Sequence, residues 1–327
     1  MKKFLLCCLC AVAATAFMPA CSNDDDTERV PVQIDKQNDT AILLVTFGST
    51  WPEPHKTYKA QMADFRKAFP DADIYLSFTS ELCMNRWYAE TGEEYVAPDI
   101  WLMELGKAGY KNIYVQSLHV IPGQEYTILS ESYVNGFRFR NDERIERGEL
   151  TVKLGEALLT DAQSIEAVAR VLVDNFREQL TRGEAVAFMG HGNPASKYYY
   201  ANKSYEDIEV AMQAYGKEAY DNDKIFVGTV DYDDMLIDSV IEKLQANGCT
   251  KVSLHPLMSI AGDHANNDMA GDKEEGAPME EQSWKIQIAD AGIEVVETQC
   301  KGLGDYSAIN TVWINHLKEA ILSVEEE

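Results

Sequence analysis

The chain has 327 residues, with 29 Lys and Arg against 54 Asp and Glu, which gives a formal net charge of −25 at pH 7. At 46% hydrophobic residues it carries enough apolar side chain to build a core, which excludes a disordered or fibrous chain. The charge argues against a nucleic-acid partner, because binding a polyanion needs a basic footprint. It draws in cations, and it still admits a small anionic ligand held by a local cationic patch.

Residues 1–20 read as a secretory signal peptide. Lys2 and Lys3 precede an apolar run of 14 residues, 4–17, that is too short for an ordinary membrane span. Met18-Pro19-Ala20-Cys21 then resembles a bacterial lipobox with Cys21 as the lipidated residue, although Met18 and Pro19 depart from the usual Leu and small residue. An ordinary cleaved export signal is the alternative. Residues 21–40, with Asp24, Asp25 and Asp26, read as a solvated polar tether. The expectation is an exported protein, a periplasmic or outer-membrane lipoprotein held to the membrane through its lipid. Cys7, Cys8, Cys10 and Cys21 belong to the export segment. Cys83, Cys249 and Cys300 lack metal-type spacing and are expected to be small core residues.

Strands and helices then alternate. Residues 41–47 (AILLVTF) form a continuous apolar run, as in a strand buried on both faces. Tyr58, Met62, Phe65 and Phe69 recur at helical spacing. Strands are predicted at 73–78, 112–118 and 150–154, with a helix at 100–108 that stops near Gly109. A strong helix follows, marked by Ile165, Val168, Leu172, Val173 and Phe176. The order then restarts, with strands at 185–189, 225–230, 252–257 and 293–297 and helices at 205–215, 235–244 and around Ile309 to Leu317. This pattern predicts two similar doubly wound α/β domains with parallel sheets flanking a cleft, 41–160 and 161–327, the second opening with a linking helix over 161–181.

The two halves also read as a duplication. Gly48 in VTFGS matches Gly190 in AFMGH, and Gly123 in LHVIPGQEY matches Gly262 in LMSIAGDHA. On that alignment Ser49 and Glu125 face His191 and His264 across the cleft. His191, Asp231 and His264 each follow a strand of the second half, at the sheet edge where open α/β folds bind ligands. Two imidazoles and a carboxylate from adjacent loops suit a divalent transition metal. His55, His119, His255 and His316 lack such placement and read as structural. For Asp231 the competing reading is a cap on the helix that starts near Asp233.

At these residues the sequence resembles the anaerobic, early-insertion sirohydrochlorin cobaltochelatases, class II tetrapyrrole chelatases. The resemblance runs from Ala41 to the last helix. It is carried by TFGST at 46–50, FTSEL at 78–82, QSLHVIPGQEY at 116–126, FMGHG at 188–192, VGTVDY at 227–232, PLMSIAGDHANNDMAGD at 256–272, SWKIQIADAGI at 283–293 and GLGDYSAI at 302–309. It implies two α/β domains around a tetrapyrrole cleft and ATP-independent insertion of Co²⁺ into sirohydrochlorin, with Fe²⁺ or Ni²⁺ as other metals. The family's metal ligands are two His and one Glu. His191 and His264 match the His positions, and Asp231 stands where the family has Glu.

The resemblance makes His191 and His264 the catalytic residues, with His191 the acceptor of a pyrrole proton, and it allows a homo-oligomer. Tyr198, Tyr199 and Tyr200 are candidates to pack on the macrocycle face, and Lys197, Lys203, Arg86 and Arg138 to pair with its acid arms. Residues 272–281 (DKEEGAPMEE) form an acidic loop, most simply a solvated insertion. No glycine-rich phosphate motif appears, so no nucleotide is implied. Export sets up an alternative, because such precursors are made in the cytoplasm: a lipid-anchored tetrapyrrole- or metal-binding protein on the same fold.

Overall fold

The computed structural model describes residues 32–193 and 197–323. The export segment, Cys21 and the tether as far as residue 31 lie outside the described residues. From Thr40 the chain runs β1 (Thr40–Thr46), α1 (Pro52–Ala68), β2 (Ala72–Phe78), α2 (Glu81–Thr91), α3 (Pro98–Lys107) and β3 (Asn112–Ser117). A helical run follows: α4 (Gln124–Thr127), a π-helical stretch Ile128–Val134, α5 (Asn135–Arg140) and α6 (Asp142–Glu146). β4 (Thr151–Gly155) closes the first sheet. The second half comprises α7 (Ala162–Asn175), α8 (Arg177–Thr181), β5 (Ala185–Gly190), α9 (Lys203–Tyr220), β6 (Ile225–Thr229), α10 (Ile237–Ala246) and β7 (Lys251–Pro256). It ends with a second π-helical stretch His264–Met269, α11 (Trp284–Asp290), β8 (Glu294–Thr298) and α12 (Ser307–Leu322).

The two sheets repeat one topology. Each has four parallel strands, in the order β2-β1-β3-β4 and β6-β5-β7-β8. The strand order reverses between β1 and β3, and again between β5 and β7. Such a reversal opens a crevice at the carboxyl ends of the strands. Both sheets are covered on both faces, which explains the unbroken apolar runs of β1 and β5. On one face Leu43, Val45, Ile113 and Val115 pack under Leu102, Leu105 and Phe137. In the second half Ala187, Met189, Val252 and Leu254 pack under Val240, Leu244 and Ile288.

A third apolar cluster is shared by the two sheets. Ile42, Leu44 and Phe78 from the first join Val186, Phe188 and Val227 from the second, with Val168 and Leu172 of α7 and Trp313 and Leu317 of α12 between them. α12, last in the chain, packs back on β3, β4 and α1 of the first half. Each fully buried aliphatic side chain contributes about 1.5–3 kcal/mol, so this shared layer fixes how the two crevices face each other.

Of the three cysteines expected in the core only Cys249 is buried. Cys83 is half-buried, and Cys300 is exposed because it follows β8, an edge strand whose residues are only partly covered. The four histidines read as structural are all buried. His255 contacts Pro256 O and the Tyr306 hydroxyl, and His316 contacts the Ser164 hydroxyl.

Candidate active site

His191 directly follows β5, and His264 opens the π-helical stretch that follows β7. They therefore meet at the crevice of the second sheet. Their rings stand edge to face, with centroids 4.9 Å apart and planes at 84°. The His191 Nδ1 lies 2.9 Å from the carbonyl oxygen of Gly192, which can only accept, so Nδ1 carries the proton. The His264 Nδ1 lies 2.5 Å from the Asp268 carboxylate and donates to it in the same way. Both Nε2 atoms are thereby left with a free lone pair, the arrangement in which a second group orients a metal-binding imidazole.

Asp231 is brought to the pair by backbone. Its amide and that of Val230 both donate to the His191 carbonyl, at 2.9 and 3.1 Å. The Tyr232 amide donates to the Thr229 hydroxyl and tightens the turn. Gly192 has φ +87°, and a Cβ there would sit 2.9 Å from the Tyr232 nitrogen, so only glycine lets the two loops come this close. The Asp231 carboxylate lies 3.8 Å from the His191 Nδ1. It caps no helix: the short turn at Asp233–Met235 and α10 begin at Tyr232 and Leu236 without a side-chain cap. Among the described residues no three His, Cys, Asp or Glu groups are gathered tightly enough to form a ready-made metal cage.

The first half supplies the opposite wall. Glu125, at the start of α4, is close enough to His191 to feel its charge. Its carboxylate accepts a hydrogen bond from the Thr79 hydroxyl at 3.0 Å. Burial raises its pKa, against weaker pulls from Thr79 and His191. Ser49 Oγ lies 3.4 Å from the point a Gly262 Cβ would occupy, two residues before His264. The Trp51 indole donates to the Asp263 carboxylate at 3.3 Å and ties the halves together beside His264. The hydrogen bond to Asp268 raises the His264 pKa, and the charges of Asp268, Asp263 and Asp231 add to the effect.

The remaining candidates are scattered. Tyr199 and Tyr200 are exposed, and Lys197 lies 5.0 Å from the centre of the Tyr198 ring. Lys203 pairs with Asp207, Arg138 donates to the Val152 carbonyl, and Arg86 is exposed. The 272–281 loop is exposed, held by Gln282 to Glu274 and by Lys285 to Asp272. Thr79 and Asp268 fall inside the FTSEL and PLMSIAGDHANNDMAGD segments, but nothing in those segments singles them out as site residues. For Asp268 the spacing of four from His264 is the readable signal, once a helix is expected there.

A family model described as cobalt chelatase (CbiK) matches residues 40–322. The sirohydrochlorin cobaltochelatase of Salmonella typhimurium is 31% identical over 289 residues, which cover 88% of this chain and 98% of the relative. The sirohydrochlorin cobaltochelatase CbiKC of Nitratidesulfovibrio vulgaris is 28% identical, covering 87% of this chain and 92% of the relative. Among solved structures, SirB from Bacillus subtilis with Fe³⁺ superimposes with a TM-score of 0.54 at 14% identity, over 86% of this chain and 96% of that one. That likeness speaks to the fold.

Proposed function

The chain belongs to the cobalt chelatase family, and on that premise we propose that it inserts Co²⁺ into sirohydrochlorin without ATP. The observation that carries this reading is the pair of imidazoles at the second crevice. Each is fixed through Nδ1, which leaves its Nε2 lone pair available to a borderline cation. The metal is a substrate here. His191 and His264 are its proposed donors, and the Asp231 carboxylate beside them completes the shell. Fe²⁺ and Ni²⁺ suit the same donors.

Two pyrrole N–H protons must leave as the metal enters. As the metal passes to the ring, His191 is freed and can accept a proton at its Nε2. Glu125 stands opposite, with a carboxyl whose pKa burial raises, and is placed to accept the other. Such a base works best when its pKa approaches the working pH. The exposed Tyr199 and Tyr200 can lie against the macrocycle face.

We also propose that the protein works outside the cytoplasm, anchored through a lipid on Cys21. The cationic and apolar leader ahead of Cys21 supports this. The test of function is to mix the pure protein lacking residues 1–20 with sirohydrochlorin and Co²⁺, without nucleotide, and follow the absorption spectrum. Conversion of many equivalents per protein is expected. A single stoichiometric spectral change would mark a binding protein instead.

A further inference from the structure

We propose that Asn193 is a positioning residue that sets the separation between Glu125 and His191 across the cleft. The loop of the second half and the helix start of the first half meet on this one buried side chain, which is 7% exposed. Its own backbone is locked at two points. The Asn193 amide donates to Asn202 Oδ1 at 2.8 Å, and Asn202 Nδ2 donates to the Asn193 carbonyl at 2.9 Å. Asn202 is itself fully buried. This clamp fixes the loop that carries His191.

The side chain then reaches across. Asn193 Oδ1 accepts a hydrogen bond from the Gln124 amide at 3.0 Å, from a residue 69 positions away in sequence. Gln124 is the first residue of α4 and precedes Glu125. Its amide is one of the donors that a helix start leaves without an internal partner. The residue ahead of it, Gly123, has no side chain to cap it, so the cap comes from the other half of the chain. Gly123 is glycine for space rather than for backbone angle, since its φ of −93° suits any residue. A Cβ there would lie 2.6 Å from both Oδ1 and Nδ2 of Asn193. Gly123 and Asn193 are thus complementary surfaces, and the distance between the two reacting groups is set where they touch.

The consequence is kinetic. A misplacement of about 1 Å between reacting groups costs on the order of a hundredfold in rate. The proposed metal donors His191, Asp231 and His264 all sit on the second half, so metal binding does not depend on this contact.

The proposal rests on the reading of Glu125 and His191 as reacting groups, and the test separates the two. Asn193→Ala keeps both backbone bonds to Asn202 and removes only the bond to Gln124. It is expected to lower the kcat of chelation at least about tenfold, the low end for loss of an orienting partner, with Co²⁺ affinity within about twofold of wild type. Gly123→Ala, which pushes into Asn193, is expected to do the same. The double variant Gly123→Ala/Asn193→Ala is expected to be no slower than either single one, because the added methyl fills the vacated space and the two effects share one contact. A kcat within about twofold of wild type for Asn193→Ala, a parallel loss of Co²⁺ affinity, or additive losses in the double variant would each overturn the proposal. If Glu125→Gln and His191→Ala both kept the wild-type rate in the same assay, the reading of the site itself would fail instead.

Discussion

Glu125 and His264 occupy equivalent places in the two halves of the chain. Each is the second residue after a glycine, Gly123 or Gly262, and each glycine follows the third strand of its sheet, β3 or β7, by the same interval. Glu125 lies in α4, which passes into the π-helical stretch Ile128–Val134, and His264 itself opens the π-helical stretch His264–Met269. π-Helical turns are rare and concentrate at functional sites. One topological position thus serves two chemistries. In the second half it holds an imidazole against a carboxylate, and in the first it holds a carboxyl against a hydroxyl.

Glu125→Gln keeps the shape and removes the proton acceptor. The rate of chelation is expected to fall by about 10²–10⁴, the scale of losing a positioned acid–base group. Co²⁺ affinity should change little. The wild-type rate should also fall on acidification from a higher pH than an ordinary carboxylate would give, because burial raises this pKa. Initial rates across pH for the two proteins check both points. A wild-type rate in the Gln variant removes Glu125 from the reaction.

The bond to Asp268 stabilises the protonated form of His264 and raises its pKa. Metal needs the neutral ring, so protons compete with Co²⁺ up to a higher pH than at an ordinary His. Affinity should therefore be full above the raised pKa and decline as pH falls through it. Asp268→Asn removes the charge and should shift that decline to lower pH. It should also lower the affinity at high pH by about 10–100-fold, because the ring loses its orienting partner. Co²⁺ titrations at a series of pH values read both effects, and an unmoved midpoint would argue against the pairing.

The strands and the ends of most elements were legible because both sheets are buried on both faces and their strands read as unbroken apolar runs; the order of the strands within each sheet was not. The residues that follow those strands, His191, Asp231 and His264, were legible for the same reason. The helical run from Gln124 to Glu146 was not. Its buried residues Leu129 and Val134 are five apart, a π spacing that a 3.6-residue period misses. α2 was hidden because it buries only Trp87 and so shows no apolar stripe. Cys300 was misplaced because nothing in its neighbours marks β8 as an edge strand. The contacts of Asn193 and of Trp51 with Asp263 join positions far apart in sequence, and no local pattern encodes them.

His191→Ala and His264→Ala should each lower chelation by at least about a hundredfold, since each removes a proposed metal donor and, at His191, the proton acceptor. His255→Ala and His316→Ala should act on stability alone. His255 is fully buried, and burial holds its pKa down at about 3. Removing it leaves the Pro256 carbonyl and the Tyr306 hydroxyl without their partner. Rates per folded protein, with melting temperatures alongside, separate the two classes. A wild-type rate for His264→Ala would dissolve the proposed metal shell.

Anchoring is tested at Cys21. Cys21→Ser should leave an exported protein that carries no lipid and partitions with the soluble fraction, while the wild type partitions with the membrane. A wild-type protein found wholly in the soluble fraction of lysed cells would end the lipoprotein reading.

The resemblance sets Asp231 where a ligand Glu, one methylene longer, is expected. Its carboxylate lies 3.8 Å from the Nδ1 edge of His191, and its charge reaches His264 as well. That edge is the one held by the Gly192 carbonyl, so an ion bound at the His191 Nε2 would meet Asp231 through a long contact or a bridging water. The expected result is a weaker hold on the metal, which suits a site that must give the metal up. Asp231→Asn should lower Co²⁺ affinity, because a neutral amide is a poorer ligand than a carboxylate for such a cation. It should change stability little, since Asp231 caps no helix. Asp231→Glu adds one methylene of reach and should tighten binding. Tighter binding need not speed the reaction, since a metal held more firmly in the ground state raises the barrier to its transfer. Titrating Co²⁺ into wild type and both variants, with the chelation rate measured alongside, decides the matter: equal affinities for all three proteins would remove Asp231 from the metal shell.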